Sequence, residues 1–524
     1  MTQFCVSAGS GSDRIKRNPW KSSVLPDPVA TAPGTDTSPF KAGDYMNAQA
    51  SDYQKAASSP WRSAVTRNRV LFFLIVLLLA GSIRLLTFNF LRNRLDDPGW
   101  FQRGTYAAFE ERAVAVLDGK EAIFWVRDPS RTDVIFFPPG YALTIAFIFR
   151  LTGRHSVYAV QTVQAVVDLF VSLLFITGLA VTAFGLRAGM WASVMAACSP
   201  LLAFVGVSPF SDAPTAWFVI GGIWLLVLAV KKGNAKLAFA AGVVLGCACW
   251  LRLNPLYLSV FLALALLAFA GTTLPRRLRL AAPLLLGTLL LVSPIVIRNY
   301  VVFRELTVGA GVGVNLWEGL GETEFGRANG FEFGDSKLVE RDRAAMNLPA
   351  DFPLTNIWPD GINRDRARRK EALNFIRQHP VWYAGVMFRR MWGMLKVAGA
   401  PLPYYGTAGI NVTGAKCLPA SWQSGIVARL VNALGAIQSV TRYALLPLAL
   451  VGLWLAARRD WPVTSLFLAA IVYYLGPGTF VHPEIRYALP MHWLLPIFAG
   501  LSLSLIYAKT RERWTSLRAS KSSP

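Results

Sequence analysis

Leu95-Asp96-Asp97-Pro98-Gly99-Trp100-Phe101 and, further along, Phe136-Phe137-Pro138-Pro139-Gly140-Tyr141 bracket the stretch 95–151, on which the reading of the fold turns. The first motif follows closely on an apolar run, Val70 to Phe90, and the second opens another that reaches Leu151. Between them the chain is polar and of mixed charge, so 91–135 reads as a surface loop joining two apolar elements. Asp-Asp-Pro-Gly and Pro-Pro-Gly are turn chemistry, which places a change of direction at each end of that loop.

Outside this stretch the chain is mostly apolar. Hydrophobic residues make up 54% and charged residues 16% of the sequence, and the mean hydropathy is +0.40, values that fit an integral membrane protein and exclude an ordinary soluble one. The net charge of +23 does not point to nucleic acid, because the basic excess lies in short loops and tails between apolar runs and not on one solvated, aromatic-studded face. Five cysteines, three of them (Cys198, Cys247, Cys249) inside apolar segments, form neither a disulfide framework nor a zinc spacing. No phosphate-cradling Walker sequence occurs, and Gly309-Ala310-Gly311-Val312-Gly313 lacks the strand and helix context of a dinucleotide fingerprint.

At about 20 apolar residues per crossing, the predicted spans are 70–90, 157–184, 188–207, 213–230, 237–253, 256–271, 280–298, 440–457, 461–479 and 487–508. The expected fold is therefore all-α and polytopic, with about ten transmembrane helices plus re-entrant or interfacial helices. Residues 1–69, rich in Ser, Pro and Ala, read as a disordered cytoplasmic tail. A transmembrane core follows at 70–298, holding the first outer loop 91–135. Residues 299–424 read as an extracytoplasmic region whose segment 382–397, with Arg389, Arg390 and Lys396 among aromatics, reads as an interfacial helix. Transmembrane helices return at 425–508, and 509–524 is a basic cytoplasmic tail.

Charge sets the orientation. Lys231-Lys232 with Lys236, Arg276-Arg277 with Arg279, Arg458-Arg459 and the tail from Lys509 are short basic connections expected inside. The long connections 91–135 and 299–380 hold eight and twelve acidic residues, twenty of the chain's thirty, and are expected outside. Were 139–151 a full crossing, these assignments would conflict. At about 13 residues it is short for a span, so a re-entrant or steeply inserted segment is expected. A break within 157–184 is the alternative.

Several polar residues stand out against this background. Asp96 and Asp97, just beyond a helix end at the membrane surface, could accept a proton from an incoming hydroxyl, or simply cap a turn. Arg84 lies inside the first span near its outer end, where a charge is either functional or snorkels to the interface. Arg252 and Arg298 fall at outer helix ends, against the positive-inside trend, which suggests an anion. His482-Pro483-Glu484-Ile485-Arg486-Tyr487 is the densest polar cluster between the last two spans; Arg486 could clamp a phosphate with His482 assisting, or form a loop ion pair with Glu484. Asp212 reads as a helix N-cap. Asp168, buried in an apolar run, needs a partner, with Gln161 and Gln164 nearby in sequence. His155, His379 and His492 are isolated and read as structural.

In order, an Asp-bearing first outer loop, the Pro-Pro-Gly-Tyr step, the Ser211-Asp212-Ala213-Pro214 start of a span, Leu251-Arg252-Leu253-Asn254-Pro255, Arg298-Asn299-Tyr300, Gly313-Val314-Asn315-Leu316-Trp317-Glu318-Gly319 and Glu484-Ile485-Arg486-Tyr487 resemble the GT-C membrane glycosyltransferases of the protein-mannosyltransferase and aminoarabinose-transferase type (glycosyltransferase family 39-like). The resemblance runs from about 70 to 508. It implies a polyprenyl-phosphate-linked sugar donor, inverting transfer outside the cytoplasmic membrane, and a lipid, glycan or protein acceptor. It further implies an Asp of the first outer loop as base, with Asp97 the first choice and Asp96 the second; Trp100 and Phe101 each sit four residues after one of the pair. Arg486, Arg84, Arg252, Arg298, His482 and Tyr141 are the candidate donor-binding residues. No cofactor is implied, and a divalent metal is compatible with this scheme but not required by it. A membrane transporter or lipid flippase is the alternative; it would show paired broken helices facing each other at mid-membrane.

Overall fold

A computed structural model describes residues 67–96, 103–120, 132–270, 273–395, 412–482 and 484–521. Asp97, Trp100, Phe101 and the N-terminal segment 1–66 lie outside the described residues.

Among the described residues the fold is all-α, without strands. The first apolar run forms α1 (Arg67–Arg92), and the loop after it carries α2 (Arg103–Leu117) and the single turn α3 (Asp133–Phe136). The Pro-Pro-Gly step starts α4 (Gly140–Thr152). Then follow α5 (Val157–Phe184), α6 (Leu186–Ala197), α7 (Pro200–Val207), α8 (Asp212–Lys232), α9 (Ala235–Leu251), α10 (Leu258–Phe269) and α11 (Leu274–Phe303). The polar region holds α12 (Val312–Gly321), α13 (Glu324–Ala328), α14 (Asp335–Ala345), α15 (Gly361–Gln378) and α16 (Pro380–Leu395). The chain returns through α17 (Gly425–Arg459), α18 (Trp461–Leu475) and α19 (Leu489–Lys521).

Seven of these helices are long and apolar enough to cross a membrane, and α6 with α7, bent by 64°, makes an eighth if counted as one span. The expected count of about ten includes α9 and α10, which are shorter apolar helices of 17 and 12 residues. The break between α6 and α7 falls at Cys198-Ser199-Pro200: proline cannot continue a helix, and the Ser199 hydroxyl accepts from Leu202 N–H to cap the next one. Segment 157–184 is unbroken, started by Ser156. Two boundaries differ from expectation. Helix α17 begins at Gly425, well before 440, because Asn432 and Gln438 dilute the apolar signal; their amide oxygens instead accept from Ala415 N–H and Thr413 N–H. Helix α19 runs on to Lys521 through the expected basic tail, whose Lys and Arg residues are good helix formers.

Apolar side chains such as Leu78 and Val440 are 70% exposed on the outside of the bundle, as suits helices solvated by lipid. The interior is built from the small and branched residues of α5 to α11 and α17 to α19. Contacts sort the connections into two groups. At one end Lys231 lies 3.8 Å from Asp460 and donates to the Ala183 carbonyl, Arg276 reaches Gly233, and Arg277 donates to Leu267. This is the end where the short basic loops were expected to gather. At the other end the beginnings of α4, α5, α8 and α19 meet the ends of α7, α9 and α18. Helix α4 enters there, with Gly140 so close to the Trp250 carbonyl that an added Cβ would stand 2.5 Å from it. Its far end is followed by His155, stacked on Phe149, and by Tyr158, which is back at Asp96. Both ends of this 13-residue helix, about 20 Å long, therefore lie at the same end of the bundle.

Within the bundle Arg84 of α1 pairs with Asp168 of α5 at 3.1 Å and donates to Ser172 Oγ at 2.8 Å, while Trp217 Nε1 donates to Asp168 at 2.8 Å. The partner that Asp168 required is therefore Arg84, and not Gln161 or Gln164. Gly206 permits the pair, since a Cβ there would lie 2.1 Å from Asp168 Oδ2. Removing one partner of a buried ion pair costs about 3–5 kcal/mol, whereas replacing both by apolar residues is often neutral. Gly206→Ala and Arg84→Met are each expected to lower thermal stability in detergent strongly, and Arg84→Met combined with Asp168→Leu to restore most of the loss. A double variant as unstable as the single ones would show that the pair is not the brace.

Candidate functional site

The site grows from the helix ends that meet at the non-basic end of the bundle. Asp96 follows α1 in an exposed turn, and the Tyr158 hydroxyl on the first turn of α5 donates to its carboxylate. The Arg92 guanidinium lies 5.2 Å from the centre of the Tyr158 ring. Two turns further down α5, Gln164 accepts from the Tyr141 hydroxyl at 3.0 Å and donates to the Ser208 carbonyl. Tyr141 is fully buried against Phe109 and interacts electrostatically with Asp212.

Asp212 is the first residue of α8, one position after the N-cap residue Ser211, and makes no cap. The expected N-cap role is replaced by an ion pair: the Arg252 guanidinium at the end of α9 donates to Asp212 Oδ1. Oδ2 has no hydrogen-bond partner among the described residues. Arg252 also lies 4.6 Å from the centre of the Tyr487 ring. On that ring's other neighbour, Arg486 stacks at 5.3 Å from Tyr487 and 4.5 Å from Phe210. Two guanidinium groups from distant parts of the chain therefore flank one aromatic ring, a cation–π arrangement that orients both. Asn254 fixes the register by donating to the Tyr487 carbonyl at 3.0 Å.

Arg486 donates to both oxygens of Glu484, through Nη2 at 2.8 Å and through Nε. His482 continues the series, with Nε2 3.7 Å from Glu484 and Nδ1 2.7 Å from Glu322. The His482 backbone N–H donates to the Asn315 carbonyl at 3.1 Å, tying the loop to α12. Glu322 is then shared with Arg390 of α16, 3.5 Å away and almost completely buried, which also donates to the carbonyls of Gly319, Thr479 and Val481. Burial alone would lower the His482 imidazole, but its bonds to Glu322 and Glu484 outweigh that and raise it to about 10. Burial would likewise raise Glu484, but Arg486 and His482 bring it down to about 2. Beside them Glu318 is driven up to about 7, first by burial and then by Asp335, against the pull of His482.

Of the residues singled out from sequence, Arg252, Arg486, His482 and Tyr141 thus belong to one connected polar chain. Arg298 is tied elsewhere: it donates to Asn299 Oδ1 at 2.7 Å and reaches the Val134 carbonyl at 3.5 Å, bracing α11 against α3. Arg84 sits deeper, committed to Asp168 and Ser172. The buried face of α16 (Tyr383, Val386, Arg390, Gly393, Met394) and its exposed Val381, Phe388 and Trp392 have the amphipathic character expected near 382–397. Sequence reading missed the roles of Asp212, Glu318, Glu322 and Arg390. The four-residue spacing of Glu318 and Glu322, which puts both on one helix face, was the available signal. Among the described residues no group of three or more His, Cys, Asp or Glu side chains is placed to hold a metal ion.

Residues 137–297 match the family model described as dolichyl-phosphate-mannose-protein mannosyltransferase. Over that segment, which carries Tyr141, Asp212 and Arg252, the resemblance to GT-C glycosyltransferases is borne out. No curated protein matches the chain. Among solved structures the chain is similar to the oligosaccharyltransferase AglB from Archaeoglobus fulgidus in complex with an inhibitory peptide and a dolichol-phosphate, at 13% identity and a TM-score of 0.47, over 87% of this chain and 52% of that one. It is also similar to the apo form of the Archaeoglobus fulgidus oligosaccharyltransferase, at 13% identity and a TM-score of 0.44, over 85% of this chain and 52% of that one. The chain spans about half the length of these proteins.

The titrations give the ion-pair chain a definite pH window. The His482 contribution is complete below its ordinary value of 6.5 and is lost as pH rises through about 10; that of Glu484 is complete above 4.5 and is lost as pH falls through about 2. His482→Gln is therefore expected to lower the melting temperature most between about pH 4.5 and 6.5, with the gap to the native chain closing toward pH 10. A gap independent of pH from 5 to 10 would exclude the charged pair.

Proposed function

We propose that the chain is an inverting glycosyltransferase that moves a sugar from a polyprenyl-phosphate donor to an acceptor outside the cytoplasmic membrane, a lipid, a glycan or a protein. The observation that carries this reading is the meeting of Arg252 and Arg486 around Tyr487 at the same bundle end as Asp96. Their side chains are 18% and 12% exposed, whereas those of Arg84 and Arg390 are 4% and 1% exposed, so of these four Arg252 and Arg486 are the less enclosed.

In this scheme a carboxylate of the first outer loop, Asp97 or Asp96, takes the acceptor's proton while the acceptor atom attacks the anomeric carbon. The bond from that carbon to the phosphate oxygen breaks, and the polyprenyl phosphate leaves with the electron pair. A phosphate is stable as an anion, so the leaving group calls for positive charge more than for a general acid; Arg486 and Arg252 supply it through charge-assisted hydrogen bonds, with His482 holding Glu484 in place. Tyr141, hydrogen-bonded to Gln164, feels the charge of Asp212. Arg298 acts at one remove, by fixing the loop around Val134, and Arg84 by bracing α1 against α5. The apolar outer faces of the helices suit a donor whose lipid stays in the bilayer. A transporter would call for two broken helices facing each other; among the described residues one bent pair occurs.

Two measurements test the proposal. In detergent, with a polyprenyl-phosphate sugar as donor, Asp97→Asn or Asp96→Asn is expected to leave a folded protein with transfer reduced by about 10²- to 10⁴-fold; full activity in both single variants and in the double variant would refute the base. Reporter fusions at 232 and 330 are expected to read cytoplasmic and extracytoplasmic respectively, and the reverse result would put the site on the wrong face.

A further inference from the structure

Gln161 is completely buried, and neither its Nε2 nor its Oε1 has a hydrogen-bond partner among the described residues. Its position makes that unusual. Tyr158, three residues earlier on α5, holds Asp96; Gln164, three residues later, joins Tyr141 to Ser208; Asp168 and Ser172, further along, hold Arg84. Residues at this spacing share one helix face, so α5 carries a polar stripe running from the Asp96 turn into the bundle. Every other member of the stripe is engaged. Buried polar groups are rarely left unsatisfied, because the unmade bond costs stability. An amide left unpaired on an otherwise engaged stripe, three residues from the one that holds Asp96, calls for a partner that the chain itself does not supply.

We propose that Gln161 reads a hydroxyl group of the donor's sugar, an inference that rests on the glycosyltransferase reading above. An amide offers both a donor and an acceptor, which is the complement of a hydroxyl. A phosphate oxygen, which only accepts, would leave Oε1 unsatisfied. The side chain is sealed in the ligand-free chain, so engagement requires it to rotate toward the Tyr158–Asp96 contact, about 4.5 Å away along the helix axis. Gln161 thus decides which sugar is held beside the loop, while Arg252 and Arg486 hold the phosphate that every polyprenyl-phosphate donor shares.

The test is a thermal-shift titration of the full chain in detergent with two kinds of lipid: bare polyprenyl phosphate, and polyprenyl phosphate carrying mannose, glucose or aminoarabinose. In the native chain at least one sugar-bearing lipid is expected to bind more tightly than the bare one. In Gln161→Leu and Gln161→Met that lipid should bind about tenfold more weakly, the value of one hydrogen bond, while the bare lipid binds as before. Without ligand both variants should melt at the native temperature or a few degrees higher, because the unsatisfied amide is gone. A sugar-dependent preference that survives in either variant overturns the inference alone, as does a ligand-free melting temperature lowered in both, which would mean that the amide serves the fold. If no lipid shifts the native chain, the donor reading falls and this inference falls with it.

Discussion

A charge buried alone is too costly to keep, and at one end of this bundle seven charged side chains are largely buried together. Asp212, Arg252, Arg486, Glu484, His482, Glu322 and Arg390 come from the start of α8, the end of α9, the loop before α19, the end of α12 and the middle of α16. Each has its neutralising neighbour on a different element, apart from the local pair Glu484 and Arg486. A helix displaced by one turn, about 5.4 Å, would strand at least one of them. Their pairing therefore sets how the helix ends meet, and the apolar packing below follows from it.

The same rule separates structural charge from charge that can work. Arg84 and Arg390 are closed on all sides and answer to fixed partners, Asp168 for the first and Glu322 with three backbone carbonyls for the second. Arg252 and Arg486 each hold a carboxylate, Asp212 and Glu484, and also lie against aromatic faces, Tyr487 for both and Phe210 for the second. An aromatic face orients a guanidinium without using up its N–H donors. The two pairs of arginines thus differ in their neighbours, not in residue type.

The sequence showed the spans by their apolar length, and α5 coincides with the predicted 157–184. It also showed the amphipathic helix near 382–397 and the polar cluster at 482–487. It could not show which distant residues pair. Arg84 and Asp168 are 84 positions apart, and nothing local to either names the other. Arg390 read as one of several basic residues on an interfacial helix, whereas its burial depends on carbonyls freed where the chain turns at 479–481. Asp212 carried a sound helix-start signal and yet spends its carboxylate on Arg252, because a nearby buried cation outweighs a cap. The Asp97 assignment rests on the sequence resemblance, since that residue lies outside the described part of the chain.

Helix α4 shows how little a short segment needs in order to change the whole topology. Thirteen apolar residues fall short of the roughly 30 Å hydrocarbon core at 1.5 Å per residue. Had they crossed, every later connection would exchange sides, and the basic loops around Lys231 and Arg276 would share a face with the acidic region 299–380. The contacts put those basic loops together with Arg458, Arg459 and Asp460 at one end, and the ion-pair chain at the other. Gly140 anchors the start of α4 against Trp250, while His155 and Tyr158 bring the chain back beside Asp96. Helix α4 thus begins and ends at the bundle end that carries the ion-pair chain, and it brings Tyr141 to Gln164 there.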